Sequence, residues 1–283
     1  MKNKLFLAAT SLSLLTIAAC GDTATPTSGV KDESNLTLQE VYNKAIERQQ
    51  SLKSVHAKLE MDQVTELTME GQTMQITSSS NLTMDLTQDP LSLYTNGTMD
   101  MNMGEEKLSM PLEMYMTEQD GFFFYNGDTK QWLKLPENQQ ELLLQQTGAQ
   151  ADASEQLEQL KPFIEDFTFK QDNDSYLLTL VIEGEKFKEF ILSQMNNSLG
   201  DMSEVDEEVL SNMSFEDSKY EIVIGKDTFD TKEIDLDLTI VLDIEGQTTK
   251  VESDTKVEYS KFDEVKQISI PEEVKKNAVS SDS

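Results

Sequence analysis

The sequence predicts an α+β protein built from antiparallel strands that have one apolar and one polar face. Two long stretches, from Ser54 to about Leu135 and from Tyr220 to Tyr259, alternate apolar with polar residues. This alternation is typical of half-buried strands. Few segments have helical spacing, and the strands are gathered into runs instead of alternating with helices, which favours α+β over α/β.

The first 19 residues have the organisation of an export signal. Lys2 and Lys4 form a short positive segment, and an apolar run from Leu5 to Ile17 follows. This run is too short to be a good membrane-spanning helix. Two alanines then precede Cys20, the only cysteine of the chain. A thiol in that place can be alkylated by a diacylglycerol donor. We therefore predict a lipid on Cys20 that anchors the protein to the extracytoplasmic side of the cell membrane.

The mature chain is expected to contain one folded domain between two polar ends. Residues 20–35 predict a flexible tether after the acylated cysteine, and residues 277–283 predict a disordered tail. Residues 36–276 then form a single domain. It begins with a helix, because Thr37 and Glu40 have the spacing of a capping box. The apolar residues of this helix share one face: Leu38, Val41, Tyr42, Ala45 and Ile46.

Glycines divide the first alternating stretch into strands. Gly71, Gly104 and Gly121 stand at breaks between apolar runs. Gly97 marks either a further break or a bulge within one long strand. Two short strands, Phe122–Tyr125 and Gln131–Leu135, surround an Asn-Gly-Asp turn at 126–128. Alternation in the aromatic strand sends two rings into the core and two outward, where a helix or a ligand would cover them.

The second half of the chain mixes helices with a second run of strands. Leucines at 142–144 predict one helix, and apolar residues between Leu157 and Ile164 predict another. A hairpin is expected around an Asp-Asn-Asp turn at 172–174, followed by a helix over Glu185–Met195. The last predicted strands are Tyr220–Ile224, Ile234–Leu242, Gln247–Tyr259 and Ile268–Ile270.

The composition excludes several classes of function. The chain has 23 Lys and Arg against 53 Asp and Glu, a net charge of −30. Such a surface repels nucleic acid and anionic bilayers, so the lipid on Cys20 is the expected membrane contact. His56 is the only histidine. It provides neither a Ser-His-Asp triad nor a zinc site of several His or Cys ligands. Carboxylates are abundant, but nothing marks any pair as buried, and we expect no enzyme, no cofactor and no metal.

Methionine is the unusual core residue, with 14 in the chain. Several methionines occur at every second position of a predicted strand, so their side chains can line one face of that strand. Methionine is flexible and polarizable and suits surfaces that accept varied apolar ligands. The same residues are also consistent with ordinary core packing, and thioethers are ligands for Cu(I). The predicted lining of a hydrophobic-ligand site is Met99, Met101, Met103, Met114, Met116, Leu142 and Leu143.

Short motifs along the chain resemble those of a lipoprotein family. They are Leu-Lys-Ser-Val-His at 52–56, the aromatic hairpin from Phe122 to Leu133, and Ile-Pro-Glu-Glu-Val at 270–274. With the leader, they resemble uncharacterised lipoproteins of low-GC Gram-positive bacteria, which are distantly similar to the LolA/LolB and LppX/LprG lipoprotein carriers. The resemblance implies a strongly curved antiparallel sheet, an unclosed half-barrel, with helices packed on its concave face.

The resemblance also implies a function. In the carriers, the space between sheet and helices accepts acyl chains. We therefore expect a membrane-anchored lipoprotein that binds a lipid or another hydrophobic ligand between sheet and helices. The alternative is an envelope interaction or regulatory lipoprotein that binds a protein partner and has no ligand cavity.

Overall fold

The protein is built around one large, curved and unclosed sheet, which is antiparallel except for a short parallel strand at each edge. The computed structural model describes residues 23–104, 106–136, 153–182, 188, 212–244 and 246–280. The strands are β1 (Thr25–Pro26), β2 (Ser54–Met69), β3 (Gln72–Gln88), β4 (Leu91–Met103), β5 (Glu106–Thr117), β6 (Gly121–Asn126), β7 (Gln131–Lys134), β8 (Thr168–Gln171), β9 (Ser175–Ile182), β10 (Met213–Gly225), β11 (Thr231–Ile244), β12 (Gln247–Ser260) and β13 (Val279–Ser280).

Few helices accompany this sheet in the described parts of the chain. They are α1 (Leu38–Gln50), α2 (Ala153–Leu160), a 3₁₀ helix (Lys161–Asp166) and α3 (Glu272–Asn277). The predicted capping box of α1 is confirmed, because the Thr37 side chain accepts from the Glu40 backbone N–H while the Glu40 side chain accepts from the Thr37 backbone N–H. No described helix is long and apolar enough to span a membrane.

The strand order joins two wings through one long seam. The order is β1-β8-β9-β10-β11-β12-β2-β3-β4-β5-β6-β7-β13. We call β2–β7 the first wing and β8–β12 the second wing. At the seam, β12 pairs with β2 in regular antiparallel register from Thr248 opposite Thr68 to Ser260 opposite His56. The last long strand of the chain therefore lies beside the first long strand, and the two predicted runs form one sheet.

Strand register places apolar side chains on one face across both wings. Leu59 lies opposite Leu82 on one side and Val257 on the other, and Val257 lies opposite Ile234. Because side chains alternate with a period of two, in-register pairing keeps such residues on one face. The polar residues between them, such as Lys58, form the opposite face. The predicted division into an apolar and a polar face is confirmed.

The apolar face of the second wing carries the main hydrophobic core. α1, α2 and the 3₁₀ helix pack there against β8–β11. Tyr42 of α1 is fully buried, and its hydroxyl donates a 2.6 Å hydrogen bond to the backbone oxygen of Leu157 in α2. Burial raises the pKa of Tyr42, so the hydroxyl stays protonated and keeps donating. This bond and the surrounding apolar side chains join the two helices to each other.

The expected tether and tail both contribute strands. β1 pairs in parallel with β8, within the segment predicted to lie outside the fold at 20–35. Buried Gln171 holds it through its side-chain amide, which donates to the backbone oxygens of Ala24 (2.8 Å) and Ser34 (3.1 Å). Val279–Ser280 likewise pairs with β7. The sequence predicts a flexible tether at 20–35 and a disordered tail at 277–283, and the structure differs from this prediction at these two short strands. Sheet edges offer unpaired backbone groups with which an adjacent segment can pair.

Two further sequence expectations differ from the structure. Gly97 marks neither a break nor a bulge, because β4 pairs with β3 in uninterrupted register through Leu82 opposite Gly97. Ile268–Ile270 forms no strand, and Ile270 is instead a buried contact of α3. The helices predicted around 142–144 and over Glu185–Met195 fall mainly outside the described residues.

A charged cluster around Arg48 joins three distant segments. Arg48 Nε lies 2.7 Å from Asp230 Oδ1, and Arg48 Nη2 lies 2.8 Å from Asp263 Oδ2. Asp263 also accepts the backbone N–H of Lys53 at 2.7 Å. Arg48 therefore ties the end of α1 to the turn between β10 and β11 and to the segment after β12. Arg48 is the only arginine in the chain, so the sequence alone could have singled out this residue.

Candidate functional site

The apolar face of the first wing becomes progressively exposed towards its hairpin turns. Near the opposite end, Val55, Leu86, Leu93, Met116 and Phe122 form a buried cluster. Towards the turns, the described residues include four large apolar side chains that are 43–54% exposed: Met69, Met74, Met103 and Leu108. An apolar surface of this kind is typical of a ligand or partner site.

A groove of about 510 Å³ lies on this wing at the edge of β5. We call it the edge groove. Its apolar lining comes from β4, β5 and β6, and its polar lining comes from β5, the end of β6 and the turn after β6. The lining residues are Met99, Ser109, Met110, Pro111, Leu112, Glu113, Met114, Phe122, Phe124, Tyr125, Asn126, Gly127 and Asp128.

The edge groove exists because β5 is longer than the strand beside it. β6 pairs with β5 only from Met114 to Thr117, so residues 109–113 have no paired strand on this side. Pro111 lies in this extension. Proline is suited to a strand edge because it has no N–H to leave unpaired there. A free strand edge therefore forms one side of the groove.

The turn between β6 and β7 forms the other side. Asn126 Oδ1 accepts the backbone N–H groups of Asp128 (3.0 Å) and Thr129 (2.9 Å), which confirms the predicted turn. Gly127 approaches the Pro111 ring so closely that a Cβ at Gly127 would lie 2.9 Å from Pro111 Cδ. Glycine at this position lets the turn close over the end of the groove.

Two acidic residues are among the lining residues of the edge groove. They are Glu113 and Asp128, and no Lys, Arg or His is among the described lining residues. Glu113 Oε1 accepts a 3.2 Å hydrogen bond from the Tyr94 hydroxyl. Burial and the neighbouring Tyr115 and Glu113 raise the pKa of Tyr94, so this hydroxyl remains a donor to the carboxylate. The bond holds the Glu113 side chain on the polar face of the sheet, with Tyr94 and Tyr115.

Aromatic rings continue from the groove onto the polar face. Tyr125 contacts Trp132 edge-on with ring centroids 5.6 Å apart, and Tyr115 lies 5.6 Å from Trp132. Phe123 is buried against Ile270, and α3 packs over it. Of the two alternatives for the outward-facing rings, a covering helix is thus observed at Phe123, while Tyr125 lines the groove.

Two buried hydroxyl groups lie beside the groove on the apolar face. Ser80 pairs across strands with Met99, and Thr95 pairs with Met114. Both are almost completely buried, and neither Ser80 Oγ nor Thr95 Oγ1 has a hydrogen-bond partner among the residues described. Buried hydroxyls are normally paired, so this region has unused polar capacity next to the apolar lining.

The predicted lining residues separate into three groups. Met99 and Met114 line the edge groove. Met101 and Met103 share its face but lie nearer the hairpin turn, whereas Met116 is 1% exposed and belongs to the core. Leu142 and Leu143 lie outside the described residues.

Sequence reasoning missed part of the lining and the reason for the groove. Phe124 lies opposite Met114 and Phe122 lies opposite Met116, so alternation across β5 and β6 could have assigned both rings to the methionine face. The contributions of Pro111 and Gly127 depend on where β6 ends relative to β5, which strand periodicity does not reveal.

The single histidine and the aspartate-rich turn have structural roles. His56 Nδ1 lies 2.6 Å from Asp85 Oδ1 on the polar face, and the two residues are directly opposite each other in β2 and β3. Asp172 Oδ1 accepts the backbone N–H groups of Asp174 and Ser175, as expected for a turn. Within the described parts of the chain, no cluster of three or more His, Cys, Asp or Glu side chains could hold a metal ion.

Comparison with known proteins gives one family and several distant structures. A family described as "Family of unknown function (DUF6612)" matches residues 37–279. A DUF1329 family protein from Desulfovibrio piger is 11% identical, with a TM-score of 0.21 over 79% of this chain and 91% of that one. A β-barrel-like protein of DUF1849 from Brucella abortus is 10% identical, with a TM-score of 0.19 over 74% and 99%. No curated protein matches the chain.

Proposed function

The chain belongs to the DUF6612 family of unknown function, and we propose that it is a non-enzymatic lipoprotein that binds an apolar ligand in the edge groove. The observation that carries this proposal is the groove of about 510 Å³ with an apolar floor that includes Met99, Met110 and Phe124. Small-molecule sites have volumes of about 300–1,000 Å³, mostly apolar walls and a few polar groups. The edge groove has this composition.

Apolar burial alone supports a weak affinity. A ligand tail that removes about 200 Å² of apolar surface from water gains about 5 kcal/mol, at about 25 cal/mol per Å². This gain corresponds to a dissociation constant of about 0.2 mM. Binding also costs rotational and translational freedom, so we expect millimolar affinity for a simple tail of this size and tighter binding for larger ligands. Methionine side chains adapt to different shapes, which supports a ligand class with a variable tail.

We also propose that a diacylglycerol on Cys20 anchors the protein to the extracytoplasmic side of the cell membrane. The leader of the sequence supports this, and the structure adds a limit on distance. Residue 23 already forms a β-bridge with Thr37. Three residues of extended chain span at most about 11 Å. The folded domain would then lie close to the headgroups, and an apolar ligand could move between bilayer and groove over a short distance.

The proposal agrees with the resemblance to the LolA/LolB and LppX/LprG carriers, in which an apolar space accepts acyl chains. The site differs in position from the one that the resemblance implies. The edge groove lies at the margin of β5 and β6, and its described lining contains strand and turn residues.

Ligand binding can be tested with a neutral apolar fluorophore. We expect N-phenyl-1-naphthylamine to fluoresce on binding to the mature chain from Cys20, produced without acylation. Replacing Met99 and Met110 together by Gln keeps their length but adds polar groups to the groove, and should lower affinity at least tenfold. Met74→Gln is the control, because Met74 is exposed on the same face but outside the groove. Equal affinity in all three proteins, or no binding to the unsubstituted chain, would contradict the proposal.

Anchoring requires a separate experiment. Cells that express the full chain should incorporate radiolabelled palmitate into it and retain it in the membrane fraction. Cys20→Ser should abolish both results, because serine has no thiol for alkylation. Labelling of the serine variant would show that Cys20 is not the acylated residue.

One observation favours a protein partner as the second candidate function. The exposed methionines Met69, Met74 and Met103 lie towards the hairpin turns, outside the edge groove. A photo-crosslinking residue at position 74 should then give one discrete adduct in cells, which Met103→Glu removes. A diffuse set of adducts that Met103→Glu leaves unchanged would contradict a specific partner surface.

A further inference from the structure

A hydroxyl group without a partner lies beside the floor of the edge groove. Ser80 of β3 is directly opposite Met99, so its side chain is on the same face of the sheet as the floor. Ser80 is 2% exposed, and its Oγ has no hydrogen-bond partner among the residues that the structure describes. Buried hydroxyls normally have such a partner, and an unpaired one costs free energy. Alanine would fill nearly the same space without this cost, so a ligand is a physical reason for serine at this position.

We propose that the edge groove selects uncharged amphiphiles, molecules with an apolar tail and a neutral hydrogen-bonding group such as a hydroxyl, an ester or an amide. This inference rests on the proposed function and adds the ligand class. The tail lies along the floor towards Met114 and Phe124, and the neutral group forms a hydrogen bond with Ser80 Oγ. A serine hydroxyl can donate or accept, so it suits each of these neutral groups.

The side chains that flank Ser80 can move aside for a ligand. Met61 of β2 and Met99 of β4 lie directly opposite it on either side. Both methionines are half-buried, and neither is a member of the core clusters formed by the described residues. Methionine has an unbranched and flexible side chain. Rotation of one thioether therefore opens a path from the groove to the Ser80 hydroxyl.

The described side chains next to Ser80 on this face are uncharged. Its neighbours along β3 are Ser78 and Leu82, and its neighbours across the sheet are the two methionines. The two acidic lining residues of the groove lie elsewhere: Glu113 is on the polar face, and Asp128 is in the turn after β6, three strands away from β3. An ionised head would therefore lose hydration next to Ser80 without gaining an opposite charge, whereas a neutral head gains a hydrogen bond.

Three ligands with the same tail test this selection. 1-Decanol, decanoate and decyltrimethylammonium compete with N-phenyl-1-naphthylamine for the mature chain at pH 7.5, each below its solubility or micelle limit. Circular dichroism in parallel confirms that the chain stays folded. We expect 1-decanol to bind at least about fivefold more tightly than either ion. Decyltrimethylammonium is the critical comparison, because the net charge of −30 attracts it to the protein.

Two matched variants locate the contact. Ser80→Ala should lower the affinity for 1-decanol about fivefold, while the affinity for the fluorophore changes less than about twofold. Without ligand, this variant should unfold at the same temperature as the unsubstituted chain or higher, because it loses an unpaired buried group. The control is Thr95→Val, which also removes a buried hydroxyl without a described partner on this face. Thr95 lies about 13 Å away along the strands, between Met84 and Met114 at the buried cluster, so this control should keep the affinity for 1-decanol.

The outcomes separate the ligand class from the proposed function. If the fluorophore binds but either ion binds as tightly as 1-decanol or more tightly, the ligand class is wrong and the proposed function stands. Equal losses of 1-decanol affinity in Ser80→Ala and Thr95→Val, or no loss in Ser80→Ala, would also overturn the inference. A lower unfolding temperature of Ser80→Ala without ligand would show that the hydroxyl stabilises the fold, which contradicts a role reserved for the ligand. Failure of the unsubstituted chain to bind the fluorophore or any of the three ligands would overturn the proposed function itself.

Discussion

Gly97 is the position where a single added methyl group should most disturb the first wing. It lies in the middle of β4, opposite Leu82 of β3 and Leu112 of β5. A Cβ at this position would overlap the backbone oxygen of Asn81 and would lie 2.8 Å from Leu82 Cδ2. Because the Asn81 oxygen belongs to the backbone, rotation of a side chain cannot relieve the overlap.

The size of the effect follows from two opposed contributions. Overpacking of this kind costs about 1–3 kcal/mol, and a backbone obstacle places Gly97→Ala towards the upper end. Alanine is better than glycine in a strand by about 0.5–1 kcal/mol. The expected net loss is therefore about 2 kcal/mol, which lowers the midpoint of thermal unfolding by about 4–8 °C in a domain of this size.

Thermal unfolding followed by circular dichroism measures this effect, with Gly225→Ala as the matched control. Gly225 also lies in a strand, but a Cβ there would meet Lys232 Cε at 2.8 Å, near the flexible end of a side chain. The control should unfold at the same temperature as the unsubstituted chain or slightly higher. Equal midpoints for the two alanine variants would refute the assigned register of β3 and β4. Since Leu112 lines the edge groove, Gly97→Ala should also weaken binding of the fluorophore.

Two charged positions give further predictions. Arg48→Met leaves the Asp230 side chain, which is 9% exposed, without its cation, and we expect the free energy of unfolding to fall by about 2–3 kcal/mol. Lys58→Met, which breaks an exposed ion pair, should lower it by less than about 0.5 kcal/mol. Equal midpoints of urea unfolding for the two variants would contradict this prediction. Burial and the neighbouring Glu233 raise the pKa of Asp235 from its ordinary value of 3.8 to about 6. A carboxyl whose pKa is raised by folding destabilises the fold when ionised, above about pH 6, and this effect vanishes below about pH 4. Asp235→Asn should therefore be more stable than the unsubstituted chain at pH 7.5 and equally stable near pH 4. Urea titrations at the two pH values measure this, and equal stability of the two proteins at both would show that folding does not raise the pKa of Asp235.

Local features of the fold were predictable because neighbouring residues determine them. The capping box of Thr37 and Glu40 needs only residues three apart. The turn at 172–174 depends on one aspartate that bonds to the backbone two and three residues ahead. The alternation of Met99, Met101 and Met103 shows that these side chains share a face, and the structure agrees. None of these conclusions requires knowledge of distant contacts.

The site was only partly predictable because its shape depends on relative strand lengths. Alternation places Met99 and Met116 on the same face, yet the structure makes one a groove residue and the other a core residue. The difference arises because β6 pairs with β5 at Met116, whereas this pairing stops at Met114 and leaves residues 109–113 without a strand partner on that side. Burial of a strand residue depends on how far its neighbours extend, which periodicity does not contain.

The sequence by itself determined the alternation, the caps, the turns and the acidic charge, because each depends on residues close together in the chain. Only the tertiary structure decided that β12 pairs with β2, that Gln171 holds the segment around Ala24, and that the turn at Gly127 closes on Pro111. These contacts join residues that are far apart in sequence or on separate strands, and register and packing select them from many pairings with similar local patterns. The edge groove is a product of those non-local choices.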